Sequence, residues 1–443
     1  MSLGSTTVAM ARALLAMPRV VPDLEAALRR CLDTEAPWLR ELALRAATLP
    51  PRWWHDNDVA RVAGWIAREP GFLAAQDGPA RPRVRGWFMT HAVAPGDAVE
   101  PLRDVARPHW PGTGALAQAL GVSAPGLWRL TRSASWQRQA PLGEQHYRYQ
   151  LLPKRSGGWR LLEVPQPYLR ELQRKVLDTL LAHVPPHEAA VGYVRGRSVV
   201  DHARAHAGRA VLLKFDLQDF FATVRASRVH ATFASLGFSP AVARELMALC
   251  TTATPEPVLQ RLREDGGLAF VQAMRLRDAH LPQGAPTSAA LANLCAFRLD
   301  VRIAALAREL GARYTRYADD IVLSGDASLR HAADRVEAHV GAIALDEGFA
   351  LNHRKTRRVT AARRQEVCNI VVNTPRLNVP REDFDRLKAI LHRCAQTGPA
   401  AQNRDGVAQW EAHLRGRVAW VASLNAAKGA RLRRDLDRID WAN

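Results

Sequence analysis

The sequence predicts an α+β protein, because helical patterns at both ends enclose a middle section in which strand patterns recur. Apolar residues repeat at helical spacing in 24–32 and in 39–49. Short runs rich in β-branched and aromatic residues follow from residue 147 onwards, separated by glycine and proline turns. We therefore predict three parts, which are an all-α region over 1–110, a strand-containing domain over 111–380 and a helical segment over 381–443.

The charge balance indicates a nucleic-acid partner. The 443 residues include 62 Lys and Arg against 43 Asp and Glu, which gives a formal net charge of +19. Such an excess suits an extended polyanion better than a small metabolite. A membrane surface is the alternative, but no segment approaches the roughly 20 apolar residues that span a bilayer. The five cysteines are scattered and form no CxxC pair, so we expect reduced thiols in a soluble cytoplasmic protein.

The most informative feature is a pair of adjacent carboxylates, Asp319 and Asp320, between two apolar runs that are typical of a β-hairpin. Adjacent like charges repel each other, so a cation is expected beside them. Carboxylate oxygens suit Mg²⁺ or Mn²⁺, and a two-metal site drives phosphoryl transfer. The alternative is a solvated Asp-Asp turn between two strands.

A second acidic strand end lies about a hundred residues earlier. An apolar run typical of a buried strand ends in Asp216, and Asp219 and Phe221 follow closely. A carboxylate in such a position must be neutralised, hydrogen-bonded or bound to a metal. We therefore hypothesise that Asp216 joins Asp319 and Asp320 around two Mg²⁺ ions, with Mn²⁺ as a substitute, in a site for nucleotidyl transfer.

Several cationic segments are suited to phosphate groups. The hairpin over 154–160 carries Lys154 and Arg160, which could grip a triphosphate or form an ordinary basic hairpin tip. A loop around Gly196 and the C-terminal helices add cations that suit either a nucleic-acid backbone or a solvated helix face. The cations that we predict to contact a nucleic-acid backbone are Arg195, Arg197, Arg415 and Arg417.

The order of these segments resembles that of a reverse transcriptase, and most closely the bacterial retron-type group, from about residue 116 to the C-terminus. Tyr317-Ala318-Asp319-Asp320 is similar to the catalytic hairpin of the family, and Asp216 stands at the place of its first catalytic aspartate. The segment 283–288 matches the one that shapes the nucleotide and template pocket, and Lys355 matches a late palm lysine.

The resemblance implies a right-hand polymerase with fingers, a palm of antiparallel sheet plus helices, and a helical thumb. The implied activity is RNA-directed DNA synthesis, which makes cDNA by two-metal nucleotidyl transfer. Phe221 falls at the steric-gate position, where an aromatic ring excludes a ribose 2′-hydroxyl. The implied partners are an RNA template, the DNA product, deoxynucleoside triphosphates, a cognate structured noncoding RNA and an effector protein of antiphage defence, without a membrane.

The resemblance also implies roles for individual residues. The three aspartates would hold the metal ions together with the carbonyl of Leu217. The residues implied to contact the incoming nucleotide are Lys154, Arg160, Asp219, Phe221, Gln283 and Lys355. Tyr317 would join the four arginines in contacting nucleic acid.

Two elements of the family differ in this chain. The Asn-Ala-x-x-His element of retron enzymes reads His202-Ala203-Arg204-Ala205-His206, and their Val-Thr-Gly element reads Val367-Cys368-Asn369. Because both elements are associated with the retron's own structured RNA, a related defence-associated reverse transcriptase is an alternative. A polymerase that adds nucleotides without a template and a non-catalytic RNA-binding scaffold are further alternatives, although a scaffold is expected to lose a metal ligand.

Overall fold

The chain forms two units, each of which combines helices with antiparallel strands. The computed structural model describes residues 4–17, 19–32, 34–55, 58–78, 81–84, 107–153, 159–266 and 269–441. The first unit consists of Met1–Pro185 with Phe221–Leu291, and the second consists of Pro186–Phe220 with Ala292–Asn443. This composition confirms the predicted α+β class. The division into 1–110, 111–380 and 381–443 stays a prediction.

Helices are the commonest elements of the described chain. In its first half they are α1 (Ser5–Leu15), α2 (Val21–Leu32), α3 (Trp38–Ala47), α4 (Pro51–His55), α5 (Val59–Ile66), α6 (Pro70–Asp77), α7 (Thr113–Leu120), α8 (Ala124–Leu130), α9 (Ala134–Gln139), α10 (Pro167–Thr179), α11 (Val199–Arg204) and α12 (Phe220–Thr223). In its second half they are α13 (Ala226–Ser235), α14 (Pro240–Cys250), α15 (Glu256–Gly266), α16 (Phe270–Arg277), α17 (Ser288–Cys295), α18 (Phe297–Glu309), α19 (Ser328–His331), α20 (Ala333–Asp346), α21 (Arg381–Thr397), α22 (Trp410–Leu424) and α23 (Ala426–Leu436). None of the helices in the described ranges is long and apolar enough to cross a membrane.

The N-terminal helices of the first unit pack around their own apolar core. In α2, Leu24, Leu28 and Cys31 are buried at spacings of three and four residues, which places them on one helix face. They join a core that includes Leu39 of α3 and Ile66 of α5. The amphipathic spacing of the sequence therefore accounts for this helical layer.

Antiparallel strands form separate sheets in the two units. The first unit contains the hairpin of β1 (Tyr147–Pro153) and β2 (Trp159–Pro165). The second unit contains β3 (Val211–Asp216), β4 (Arg313–Tyr317), β5 (Asp320–Gly325), β6 (Arg357–Thr360), β7 (Glu366–Val367) and β8 (Ile370–Val371). Its larger sheet has the strand order β4-β5-β3-β6, and β7 pairs with β8 alone.

The interior of the second unit lies against the middle of its larger sheet. Leu212 of β3 and Val322 of β5 belong to an apolar core that includes Leu391 of α21 and Val418 of α22. The near-continuous apolar run of β3 follows from this central position, because a strand that is covered on both faces cannot alternate with polar residues. The strand ends in the buried carboxylate of Asp216, and half-buried Lys214 is the other charged residue in it.

Candidate active site

Three aspartates stand together at one end of the second unit's sheet. Asp216 ends β3 and pairs with Asp320, the first residue of β5, in the antiparallel register. Asp319 lies in the turn that joins β4 to β5, and its carbonyl oxygen accepts a hydrogen bond of 2.9 Å from the amide of Leu217. The strand register thus brings together the three carboxylates that the sequence pattern locates at strand ends.

Burial and mutual repulsion disfavour the charged forms of two of these carboxylates. The pKa of Asp319 is raised to about 6, first by burial and then by the charges of Asp320 and Asp216. Burial also raises the pKa of Asp320, although the cation of Lys214 opposes the shift. A divalent cation would relieve this repulsion, so the electrostatics favour a metal ion here.

Lys355 neutralises the third carboxylate. Its Nζ donates a hydrogen bond of 2.8 Å to Oδ2 of Asp216. The Asp216 side chain is 9% exposed and that of Lys355 is 55% exposed, so the lysine reaches a buried carboxylate from the surface. Burial alone would lower the pKa of Lys355, but its hydrogen bond with Asp216 and the negative charge of that residue raise it. The backbone supports the pair, since the amide of Asn352 donates to the carbonyl of Asp216.

The donor set matches a hard divalent cation in its chemistry. Three carboxylates and the carbonyl of Leu217 offer only oxygen ligands, as Mg²⁺ and Mn²⁺ prefer. Within the described ranges, no three His, Cys, Asp or Glu side chains are already arranged around one point as ligands. The Asp216 carboxylate faces Lys355 instead. An ion bound by all three aspartates would therefore share the Asp216 carboxylate with Lys355 or replace the ammonium group there.

The turn that replaces Val-Thr-Gly also reaches this site. Cys368 and Asn369 both have positive φ values, 47° and 63°, and connect β7 to β8 in a two-residue turn. The thiol of Cys368 donates a hydrogen bond of 3.8 Å to Oδ2 of Asp320. Burial, followed by the charge of Asp320, raises the pKa of the Cys368 thiol to about 12. The thiol therefore stays protonated and serves as a donor to the carboxylate.

The second unit also carries predicted nucleotide and nucleic-acid contacts. Asp219 is half-buried and has a φ of 49°. Tyr317 is half-buried, with its ring centroid 5.9 Å from that of Tyr193. Arg195 and Arg197 are exposed in the loop before α11. The guanidinium groups of Arg195 and Arg197 are therefore accessible to a polyanion such as a nucleic-acid backbone.

The two predicted arginines of α22 differ in their surroundings. Arg415 is exposed and pairs with Glu411 one helical turn earlier. Arg417 is half-buried on the same helix. An i,i+4 pair on a helix surface is weak and readily exchanged for a phosphate partner.

The remaining predicted nucleotide contacts belong to the first unit. Arg160 is exposed on β2, and Phe221 is half-buried in α12. The carbonyl of Gln283 accepts a hydrogen bond of 2.9 Å from the amide of Glu163, which attaches the 283–288 segment to β2. Lys154 lies outside the described residues.

Sequence reasoning missed several buried polar residues that support these elements. Arg316 and Asp300 form a fully buried ion pair behind the β4–β5 turn. Glu163 and His280 form another, with Nε2 of His280 2.9 Å from Oε2 of Glu163. The available signal for Arg316 was its position in β4, since it follows buried Tyr314 by two residues and therefore shares its face.

The two histidines at the place of the Asn-Ala-x-x-His element are also buried. Nε2 of His206 lies 2.7 Å from Oγ1 of Thr315, and Nδ1 lies 2.7 Å from Oγ of Ser324. Nδ1 of His202 lies 2.6 Å from the same Thr315 hydroxyl. Because Thr315 belongs to β4 and Ser324 to β5, the two histidines attach α11 and its following turn to the strands of the β4–β5 hairpin.

Comparison with known proteins agrees with this arrangement. Residues 152–385 match the family described as Reverse transcriptase (RNA-dependent DNA polymerase). The matched region contains the three aspartates and the sheet that holds them. The chain belongs to the reverse transcriptase family, and it is an RNA-directed DNA polymerase.

Bacterial relatives define the group within that family. Retron Mx65 reverse transcriptase of Myxococcus xanthus is 39% identical over 74% of this chain and 71% of its own length. Retron Mx162 reverse transcriptase of the same organism is 35% identical over 71% of this chain and 64% of its own length. Retron Ec86 reverse transcriptase of Escherichia coli is 27% identical over 65% of this chain and 79% of its own length. These similarities confirm the predicted resemblance to retron-type reverse transcriptases.

Proposed function

We propose that Asp216, Asp319 and Asp320 bind two Mg²⁺ ions and that the protein uses them to copy an RNA template into cDNA. The observation that carries this proposal is the direct pairing of Asp216 with Asp320 in adjacent strands, with Asp319 one residue away. The raised pKa of Asp319 supports it, because burial and like charge make this carboxylate a site where a cation is favoured. Mn²⁺ is an expected substitute, since it also prefers oxygen ligands.

In this proposal Asp216 has one part, and Asp319 and Asp320 share another. When bound, the two ions lower the pKa of the primer 3′-hydroxyl and neutralise charge on the triphosphate. Asp216 would hold an ion beside its contact with Lys355, and a weaker pair with this carboxylate would leave the ammonium group available to the nucleotide. The carbonyl of Leu217 adds a further oxygen ligand next to Asp216. Asp319 and Asp320 are held by the backbone of the β4–β5 turn, which limits their movement during the reaction.

The first unit supplies further proposed contacts to the nucleotide. Lys154 and Arg160 bind the triphosphate, since Lys and Arg are the usual partners of phosphate oxygens. Gln283 lies near the incoming sugar, and the ring of Phe221 excludes its 2′-hydroxyl. Asp219 is the remaining proposed nucleotide contact in the second unit. All of these positions fall within the region that matches the family.

We also propose that the elements of the fold correspond to the parts of a right-hand polymerase. The β4-β5-β3-β6 sheet corresponds to the palm, the hairpin of β1 and β2 to the fingers, and the helices of 381–443 to the thumb. The nucleic-acid contacts that we propose are Arg195, Arg197, Tyr317, Arg415 and Arg417. A structured noncoding RNA as template, an effector protein and a role in antiphage defence are proposed from the similarity to retron reverse transcriptases.

Primer extension on a defined RNA template tests the catalytic proposal. The double variant Asp319→Asn with Asp320→Asn is expected to lower the rate of dNTP addition by at least about a thousandfold, because neutral amides hold divalent ions weakly. Asp326→Asn is the matched control, since Asp326 is an exposed aspartate just beyond β5. Activity retained by the double variant would refute the assigned site.

Two further readouts separate the proposed function from its alternatives. Sequencing of the product distinguishes copying from untemplated addition, because a copied product is complementary to the supplied RNA. Nucleic acid extracted from the purified protein can be digested separately with RNase and DNase. A joined RNA–DNA species supports the retron role, whereas RNA alone or no nucleic acid favours another reverse transcriptase.

A further inference from the structure

A fully buried arginine stands directly behind the turn that carries Asp319 and Asp320. Arg316 belongs to β4, and its partner Asp300 belongs to α18. Neither side chain has any exposed surface. Nε of Arg316 donates to Oδ1 of Asp300 at 2.8 Å, and Nη2 donates to Oδ2 at 2.6 Å. This is a two-point ion pair with the geometry that fixes a guanidinium plane most firmly.

The remaining donor of this guanidinium reaches the turn itself. Nη1 of Arg316 donates hydrogen bonds of 3.0 Å to the carbonyl of Ala318 and to Oδ1 of Asn293. The amide group of Asn293 then donates to the carbonyl of Gly192 at 2.8 Å. The chain of hydrogen bonds therefore connects α18, α17 and the segment before α11 to the residue that precedes Asp319.

Ala318 needs such support because of its backbone conformation. Its φ of 56° lies in the left-handed region, which is unfavourable for a residue with a Cβ. Gly192 packs tightly against the same turn, since a Cβ at Gly192 would lie 2.8 Å from the amide nitrogen of Ala318 and 3.0 Å from Cα of Tyr317. The turn is thus held by the hydrogen bond from Arg316 and by the close approach of the Gly192 backbone.

Stability alone does not account for the ion pair. A buried ion pair loses hydration that its attraction repays only with good geometry, and well-packed apolar residues often replace such pairs without loss of stability. The direction of the hydrogen bonds suggests a more specific purpose. The guanidinium fixes the carbonyl before Asp319, and rotation of that peptide group would turn the two carboxylates that follow it.

We propose that Arg316, oriented by Asp300 and Asn293, is a positioning residue that sets the direction of the Asp319 and Asp320 carboxylates. It touches neither substrate nor metal. The inference rests on the proposed role of the two aspartates as metal ligands. It adds that their orientation is determined by a buried polar network that the polymerase motifs do not include.

A charge-free variant separates positioning from folding. The variant Arg316→Met, Asp300→Leu, Tyr314→Phe removes the pair together with the Tyr314 hydroxyl, which otherwise donates to Asp300. It leaves no buried charge without a partner, although the Ala318 carbonyl and Oδ1 of Asn293 lose a donor, so it is expected to fold with a modestly lower melting temperature than the wild type. We expect kcat for dNTP addition to fall about tenfold to a hundredfold, with little change in KM for the primer–template.

A local probe reports on the turn without using activity. The amide of Leu217 donates to the carbonyl of Asp319, so its hydrogen exchange measures the opening of the turn. In the charge-free variant we expect exchange at Leu217 to accelerate by about tenfold or more. A folded variant with wild-type exchange at Leu217 and wild-type kcat overturns the proposal.

A second variant keeps the test decisive if the charge-free protein fails to fold. Gly192→Ala displaces the turn without altering any charge, because its new Cβ would collide with Ala318. Gly341→Ala is the matched control, since its Cβ would meet Leu351 at an ordinary 3.7 Å. We expect Gly192→Ala, and not Gly341→Ala, to lower kcat and to accelerate exchange at Leu217. Equal behaviour of the two variants contradicts the proposal.

The outcome for this network can be distinguished from that for the catalytic site. If Asp319→Asn with Asp320→Asn leaves synthesis intact, the proposed function fails. If that variant abolishes synthesis while the variants of Arg316 and Gly192 retain wild-type kcat, only the positioning role fails.

Discussion

The ammonium group of Lys355 donates a hydrogen bond of 2.8 Å to the carboxylate of Asp216. Asp216 in turn pairs with Asp320 on the neighbouring strand of the sheet. One cation thus already neutralises a carboxylate that we propose as a metal ligand. A metal ion at Asp216 would compete with the lysine, because both cations would be drawn to one carboxylate. This competition gives Lys355 a measurable influence on ion binding.

Lys355→Met is expected to strengthen Mn²⁺ binding in the absence of nucleotide. The lysine is more than half exposed, so its pair with Asp216 is worth about 1 kcal/mol, which corresponds to about a fivefold lower Kd. The same variant should raise KM for dNTP, since the lysine is a proposed nucleotide contact. Isothermal titration calorimetry and steady-state primer extension measure the two effects. Lys388→Met is the control, and an unchanged KM for dNTP would count against the nucleotide role.

Phe221→Ala is expected to admit ribonucleotides. Removal of the half-buried ring opens space for a 2′-hydroxyl, so the preference for dNTP over the matching rNTP should fall by about tenfold or more. The measurement is the ratio of kcat/KM for the two nucleotides on one RNA template. Phe270→Ala is the control, because Phe270 is 78% exposed on α16. Unchanged sugar discrimination in Phe221→Ala would remove its assignment as the steric gate.

The ion pair between Glu163 and His280 is expected to make stability depend on pH. Burial alone would lower the pKa of His280, but the charge of Glu163 and its hydrogen bond raise it above the ordinary 6.5. The folded state therefore keeps a proton that the unfolded state releases. The stabilisation is complete below about pH 6.5 and is lost as the pH rises through the folded-state pKa.

Glu163→Gln tests this dependence. The variant should lower the free energy of unfolding at pH 6 by about 3 kcal/mol, because a buried imidazolium loses its partner. The difference from the wild type should shrink towards pH 9, as His280 becomes neutral in both states. Denaturant unfolding between these pH values is the measurement. Glu264→Gln, at an exposed position of α15, is the control. A difference that is independent of pH would contradict the assignment.

His206→Leu is expected to destabilise the second unit. Burial lowers the pKa of His206 well below its ordinary value, so the ring is neutral and bridges the hydroxyls of Thr315 and Ser324. The leucine would leave the buried Ser324 hydroxyl and the half-buried Thr315 hydroxyl with fewer partners, at a cost of about 2 kcal/mol. Denaturant unfolding measures the loss. Adding Ser324→Ala should restore part of it, because it removes the buried hydroxyl that has lost its partner. Full stability of His206→Leu alone would contradict the bridging role.

Local sequence patterns predicted the elements that carry the candidate site. The apolar run that ends in Asp216 forms β3, and the two runs around Asp319 and Asp320 form β4 and β5. Strand type and turn position depend on neighbouring residues, so the pattern was sufficient for them. The proximity of the three carboxylates could be predicted from these strand ends once the strands were assumed to belong to one β-sheet.

The partners of the buried polar residues could not be predicted in the same way. Arg316 meets Asp300, which precedes it by 16 residues, and Glu163 meets His280, which is 117 residues away. Such pairs depend on tertiary packing and leave no periodic signal in the sequence. The contact between Lys355 and Asp216 is of the same kind, since it spans 139 residues.

The number of ions that the protein holds is the sharpest test of the proposed two-metal site. Bound Mn²⁺ can be quantified by electron paramagnetic resonance in a complex with dNTP and a primer–template whose primer lacks the 3′-hydroxyl. We expect two ions per wild-type protein. When Asp216, Asp319 and Asp320 are all replaced by Asn, we expect no more than the one carried by the nucleotide. Equal numbers of ions in the two proteins would contradict the proposed metal site.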